Sequence, residues 1–186
     1  MYLFGYGSLI NIKSAQKSFK RVLKQEDLIP VTVQGYEKVW NSIESIKFDD
    51  KKVVNGIFLN LQKNTTKKTN GVVIQVSDEE LEMLKLREKN YACITIKASC
   101  ATNIKLDEDI VTFMTQNEEK VANKNTPNCF IPSRYIDILT SAFDAYSDVF
   151  ISEYKECLNS FPFTIKEGIY TFTDSLQQKI ARDGIK

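Results

Sequence analysis

Tyr2-Leu-Phe-Gly-Tyr-Gly-Ser-Leu9 opens the chain with a short apolar run that stops on two closely spaced glycines. Such a run reads as a buried strand passing straight into a tight loop. Glycines at 5 and 7 let the backbone approach a ligand and expose its N–H groups, which makes Gly5-Tyr6-Gly7-Ser8-Leu9 a candidate binding loop. It is not a dinucleotide fingerprint, because Ile10 stands where the third glycine belongs, and no Gly-Lys-Ser/Thr follows to make a phosphate loop. The competing reading is a plain turn with Tyr6 packed in the core.

Outward from this loop the chain alternates between strand and helix signals. Residues 11 to about 24 carry Ile12, Ala15, Phe19, Val22 and Leu23 at helical spacing, which predicts a helix. Pro30 to Asn41 alternates Val31, Val33 and Val39 with polar residues, and Gly35 interrupts it, so a bent or bulged strand is expected. Val53 to Leu61 and Gly71 to Val76 read as two strands joined by a polar loop from Gln62 to Asn70. Ser77-Asp-Glu-Glu80 is a capping box opening a helix that ends near Arg87, with Leu81, Met83 and Leu84 inward. Tyr91 to Ile96 and Ile110 to Thr115 read as strands, and Asn117 to Asn128 as a polar loop. Pro132 starts a helical pattern through Tyr135, Ile136, Leu139, Phe143 and Tyr146, followed by a helix over about 149–158. Beyond Pro162 only a short helix near Gln177 is expected. Strands in the middle and helices toward the end predict one α+β domain over 1–186, with a mostly antiparallel or barrel-like sheet and helices packed on it.

Composition narrows the chemistry. The 186 residues carry a formal net charge of +1, which gives no electrostatic argument for nucleic acid or an anionic membrane. Met1 to Gly5 lacks a basic leader, and no apolar run approaches a membrane span, so a cytoplasmic protein without a membrane partner is expected. Cys93, Cys100, Cys129 and Cys157 have neither zinc-knuckle nor CxxC spacing and read as reduced cysteines. The chain has no histidine. Ser-His-Asp and Cys-His devices and histidine metal sites are therefore excluded, and acid-base work falls to a carboxylate, a lysine or a tyrosine.

Glu88 sits where the helix ending near Arg87 meets the strand from Tyr91, and such junctions line clefts. Taken alone it reads as a solvated surface charge. Arg87 and Lys89 flank it, but neighbours in sequence tend to point apart.

Taken together, Phe4-Gly-Tyr-Gly-Ser-Leu9 and Leu86-Arg-Glu-Lys-Asn-Tyr91 resemble the signature loop and the catalytic segment of the γ-glutamylcyclotransferases, especially their ChaC-like branch. Gln34-Gly-Tyr-Glu-Lys-Val-Trp-Asn41, Val54-Asn-Gly-Ile-Phe58, Gly71-Val-Val-Ile74 and Ile131-Pro-Ser-Arg-Tyr-Ile136 are similar to further family segments in the same order. One departure is Asn90, which stands alone where the family has two glycines; an asparagine tolerates the left-handed backbone such a turn uses. The segment beyond Phe161 matches no family motif. The resemblance implies a small mixed barrel with a pocket at one end, Glu88 as general acid and base, and Phe4, Gly5, Tyr6, Gly7, Ser8, Leu9 and Tyr135 around the substrate. It implies glutathione or a related γ-glutamyl compound as substrate, 5-oxoproline as product, and no metal or cofactor. Either the carbonyl oxygen or the α-carboxylate could lie against the loop. γ-Glutamyl amines or amino acids as substrates, a binding module without turnover, and a monomer or a homodimer all stay open.

Overall fold

The computed structural model describes residues 1–185. Its frame is a pair of long strands, β2 (Ile29–Phe48) and β3 (Val53–Gln75), antiparallel along almost their whole length. Lys51 makes the turn between them with φ 58°. The first strand β1 (Tyr2–Gly5) adds antiparallel to the far end of β3, from Tyr2 opposite Gln75 to Gly5 opposite Val72. Two later strands, β4 (Ala92–Ile96) and β5 (Ile110–Met114), pair antiparallel, and β5 joins β1 in parallel. The near end of β3 takes β6 (Cys129–Pro132), which takes β7 (Thr164–Lys166); the outer edge of β2 takes β8 (Tyr170–Phe172). The sheet therefore runs β4-β5-β1-β3-β2-β8, with β6 and β7 as a branch from β3.

Among the described residues five α-helices cover this sheet: α1 (Ile12–Gln16), α2 (Asp78–Arg87), α3 (Ser133–Thr140), α4 (Asp148–Lys155) and α5 (Ser175–Asp183). Ser77 caps α2 through the expected box, its Oγ accepting from Glu80 N while Glu80 Oε2 accepts from Ser77 N. The core joins the strand residues Leu3, Phe4, Ile46, Ile57, Leu61 and Ile74 to Leu84, Leu139 and Tyr154 of the helices. Mixed α and β elements with a largely antiparallel sheet agree with the expected class. All four cysteines are free thiols. Among the described residues no helix is long and apolar enough to cross a membrane.

Several elements differ from the sequence reading. The helix expected over 11–24 ends at Gln16, because the Gln16 amide turns the chain: it donates to Phe19 O and Arg21 O and accepts from Leu23 N. Val22 is left 82% exposed instead of facing the core. The loop expected over Gln62–Asn70 belongs to β3, since both its flanks pair with β2. Only the stretch 64–67 has no partner, standing opposite Gly35 where the register shifts and φ is +90°. The second helical pattern breaks at Ser141, and Phe143–Ala145 is a separate 3-10 turn. Strands β6, β7 and β8 were not expected, whereas α5 falls where a short helix was.

Gly71 lets β3 cross β1 closely. A Cβ there would stand 2.5 Å from Gly5 O and 2.7 Å from the Phe4 ring. Gly71→Ala is expected to cost about 1–3 kcal/mol in urea unfolding, as overpacking of a rigid contact does; a midpoint equal to the parent's would contradict this packing.

Candidate active site

β1 delivers its last residue, Gly5, into the candidate loop. A 3-10 turn over Ser8–Ile10 then folds the chain back, with Ile10 N donating to Gly7 O and Asn11 N to Ser8 O. First-turn N–H groups have no partner inside such a turn, so those of Ser8 and Leu9 stay available. Two tyrosines fix the loop from behind. Tyr6 Oη donates to Phe113 O at 2.7 Å, and Tyr154 Oη of α4 donates to Tyr6 O at 2.7 Å. The core reading of Tyr6 and its place in the loop are thus both realised: the residue is 7% exposed and still lines the cavity.

A cavity of about 740 Å³ opens beside the loop. All six residues from Phe4 to Leu9 line it, and so do Glu88 and Tyr135, so the candidates named from sequence share one space. Tyr135 arrives on the first turn of α3, and its hydroxyl lies over Gly7, 2.7 Å from where a Cβ would be. Its ring packs edge-on against Phe58 and Trp40 at 4.9 and 5.9 Å.

Glu88 caps the C-terminus of α2, its N donating to Leu84 O and its O accepting from Tyr91 N, both at 2.8 Å. Its ψ of 30° takes the chain out of the helix. As a result Arg87 Nε reaches Glu88 Oε1 at 3.1 Å, although neighbours were expected to point apart. Burial raises the Glu88 pKa above the ordinary carboxylate value, and the Arg87 guanidinium offsets this only in part. The side chain keeps 22% of its surface exposed, so this is a half-buried carboxylate and not a surface charge.

Asn90 does not adopt the left-handed backbone considered for it; among the described non-glycine residues only Lys51 and Asn128 have positive φ. Its amide instead donates to Glu44 Oε2 at 3.2 Å and ties the turn to β2. Glu44 was not singled out from sequence. It is a second carboxylate lining the same cavity, 3% exposed, with its pKa raised chiefly by burial. Strand alternation carries the signal, since Ser42, Glu44, Ile46 and Phe48 share one inward face. Tyr91 also lines the cavity; its hydroxyl accepts from Ser42 Oγ at 3.2 Å and hydrogen-bonds Glu44. Burial, with the nearby Glu44 and Glu88, holds its pKa well above the usual tyrosine value, and burial does the same for Tyr135.

The segment beyond Phe161 completes the wall. Tyr170 and Phe172 of β8 line the cavity and pack on Phe58 at 5.8 and 5.7 Å. Gln178, Ala181 and Arg182 of α5 line its outer side. Lys89 Nζ pairs with Asp174 Oδ2 at 2.6 Å and Lys17 Nζ donates to Ala181 O at 2.5 Å, so both ends of α5 are tied to the rest of the fold.

No protein-family model and no curated protein sequence matches this chain. Solved structures do. One described as a gamma-glutamyl cyclotransferase aligns over 99% of both chains at 14% identity, with a TM-score of 0.56. YkqA from Bacillus subtilis aligns over 88% of this chain and 55% of its own at 20% identity, with a TM-score of 0.58. A gamma-glutamyl cyclotransferase from yeast, described as specific to glutathione, aligns over 86% of this chain and 95% of its own at 14% identity and a TM-score of 0.52. At such identities the likeness is one of fold. The chain has the fold of these cyclotransferase structures.

The loop's support gives a direct test. Tyr154→Phe deletes the donor to Tyr6 O and leaves a buried carbonyl unpaired, for an expected loss of about 1–3 kcal/mol in denaturant unfolding. Unchanged stability would show that the loop does not depend on this bond.

Proposed function

We propose that this chain is a γ-glutamylcyclotransferase, converting glutathione or a related γ-glutamyl compound into 5-oxoproline and the released amine. The observation that carries the proposal is a single cavity joining a carboxylate of raised pKa, Glu88, to the glycine loop and the Tyr135 hydroxyl. Absence of histidine leaves a carboxylate as the natural acid-base group.

The reaction is an internal displacement. The substrate's α-ammonium gives one proton to the Glu88 carboxylate. The freed amine lone pair forms a bond to the γ-carbonyl carbon, and the carbonyl π electrons move onto oxygen. Backbone N–H groups of the Gly7–Leu9 loop are the donors proposed to meet that oxygen. The oxygen electrons then re-form the carbonyl, and the bond to the leaving nitrogen breaks as Glu88 returns its proton there. The ring nitrogen sheds a second proton and the released amine gains one, so no net proton, oxidant or reductant is consumed. Tyr135 and the aromatic wall hold the chain folded for ring closure. A pKa raised by burial suits a group that must both take and return a proton near neutral pH.

Glu88→Gln keeps the shape and removes the base. It is expected to lower 5-oxoproline release from glutathione, γ-glutamyl-alanine or γ-glutamyl-lysine by about 100-fold or more. A wild-type rate would remove Glu88 from the mechanism, and tight binding by the unaltered chain without product from any of the three would mark a binding module.

The pH profile supplies an independent check. The base works only when ionised, so kcat/KM should fall as pH drops through the raised Glu88 pKa. An acid limb above the ordinary value of 4.5 is expected. A limb at or below that value would contradict the burial argument.

A further inference from the structure

A second cavity, of about 330 Å³, shares no lining residue with the first. Lys38 of β2 lines it. The Lys38 Nζ donates to Asn70 O and Asn70 Oδ1 of β3, both at 2.7 Å, and sits 3.8 Å from the centroid of the Tyr154 ring on α4. Asn70 Nδ2 in turn donates to Phe150 O at 2.8 Å. One ammonium thus joins two strands to the helix that carries Tyr154. Burial pushes its pKa down to about 8, and Cys157, Glu153 and Glu156 offset this only in part. The other charged groups on this cavity are Glu37 of β2 and Lys67 and Lys68 of β3, with Lys68 paired to Glu153. Burying a charge is costly. Bridging strands to a helix needs only a hydrogen-bond donor, so the charge itself calls for a reason.

The Tyr154 ring leads to the glycine loop. Tyr154 Oη donates to Tyr6 O at 2.7 Å, and Tyr6 O and the Gly7 N–H are the two ends of one peptide unit. A cation on the face of a phenol is attracted to the ring, draws electron density from it and makes its O–H a stronger donor. A stronger bond to Tyr6 O polarises the peptide, and the Gly7 N–H becomes a stronger donor in turn. We propose that Lys38 is a positioning residue acting through Tyr154: its ammonium holds the ring and polarises the Tyr6–Gly7 peptide, so that the Gly7 N–H meets the developing oxyanion as a stronger donor. This rests on the cyclotransferase reading and extends it to a residue outside the active-site cavity. Turnover should then slow as pH rises and Lys38 loses its proton. Stability moves the other way. The folded pKa lies below the ordinary lysine value of 10.5, so the unfolded chain binds the extra proton between about pH 8 and 10.5, and this group adds stability as pH rises through that window. Titration of Lys38 therefore slows the enzyme without unfolding it.

Tyr-Gly occurs once in the chain, at 6–7. Labelling tyrosine with carbonyl carbon-13 and glycine with nitrogen-15 therefore gives a single carbon-detected NMR correlation, which survives amide exchange at high pH. In the unaltered chain the Tyr6 carbonyl resonance should move upfield through an inflection near pH 8. The kcat for γ-glutamyl-alanine should fall about 3- to 30-fold through the same inflection, the range a cation–π contact supports. Lys38→Met removes the charge and should hold both observables near their high-pH values throughout. Tyr154→Phe leaves Lys38 to titrate but cuts the path to Tyr6 O, and should lose the inflection in both. The substrate amine titrates alike in every variant, so only a limb lost with Lys38 or Tyr154 counts. A merely structural Lys38 would leave the inflection in place in Tyr154→Phe. That result, or a Tyr6 carbonyl that does not move near pH 8 in the unaltered chain, overturns the proposal. If neither variant folds, the titration of the unaltered chain decides alone. Product with an unmoved carbonyl rejects the Lys38 role and keeps the cyclotransferase; a Tyr154-dependent carbonyl shift without product keeps the polarised peptide and rejects the cyclotransferase.

Discussion

Everything in this molecule hangs on one continuous strand. β3 pairs with β2 along nearly its full length, with β1 at its far end and with β6 at its near end. Through β1 it fixes the glycine loop, and through β6 it fixes Pro132 and the start of α3, where Tyr135 stands. Loop and tyrosine are far apart in sequence, and each is a short step from the same strand. That common anchor brings the Tyr135 hydroxyl over Gly7, and the absence of a side chain at Gly7 leaves room for it.

The cavity beside this strand is built against the ordinary preferences of a protein interior. It holds two carboxylates, Glu44 and Glu88, whose pKa values burial raises, within a wall of tyrosine and phenylalanine. The Arg87 guanidinium pairs with Glu88 through Nε, while its buried Nη1 has no hydrogen-bond partner among the described residues. Stable folds avoid such combinations, and natural proteins keep them where a site has work to do. The support is correspondingly heavy. Tyr154 holds the loop carbonyl, Lys38 Nζ sits 3.8 Å from the Tyr154 ring centroid, and Asn90 and Tyr91 hold Glu44. The fold stabilises the site from behind while its front stays polar and incompletely paired.

Much of this was legible in the sequence because it rests on local rules. The glycine pair after β1, the capping box at Ser77 and the bulge at Gly35 are each set by a few adjacent residues. What was not legible depends on distant partners. The polar middle of β3 is a strand because β2 pairs with its flanks, and no pattern within it says so. Strands β6, β7 and β8 are three or four residues long, too short for a period, and exist by adding to edges already formed. The Arg87–Glu88 contact follows from a helix ending at that residue, since a ψ of 30° turns two neighbours toward each other. Glu44 could have been found: its strand reads inward at Ile46 and Phe48, and extending the alternation back from them puts an acid inside.

The central claim is that one γ-glutamyl group reaches the loop and Glu88 at the same time. A crystal structure of the Glu88→Gln variant with γ-glutamyl-alanine tests this most directly. The account predicts the γ-carbonyl oxygen within hydrogen-bond reach of the Gly7–Leu9 backbone and the α-nitrogen beside the side chain of residue 88. Ligand bound elsewhere on the molecule, or bound here with the α-nitrogen turned away from that side chain, would contradict it.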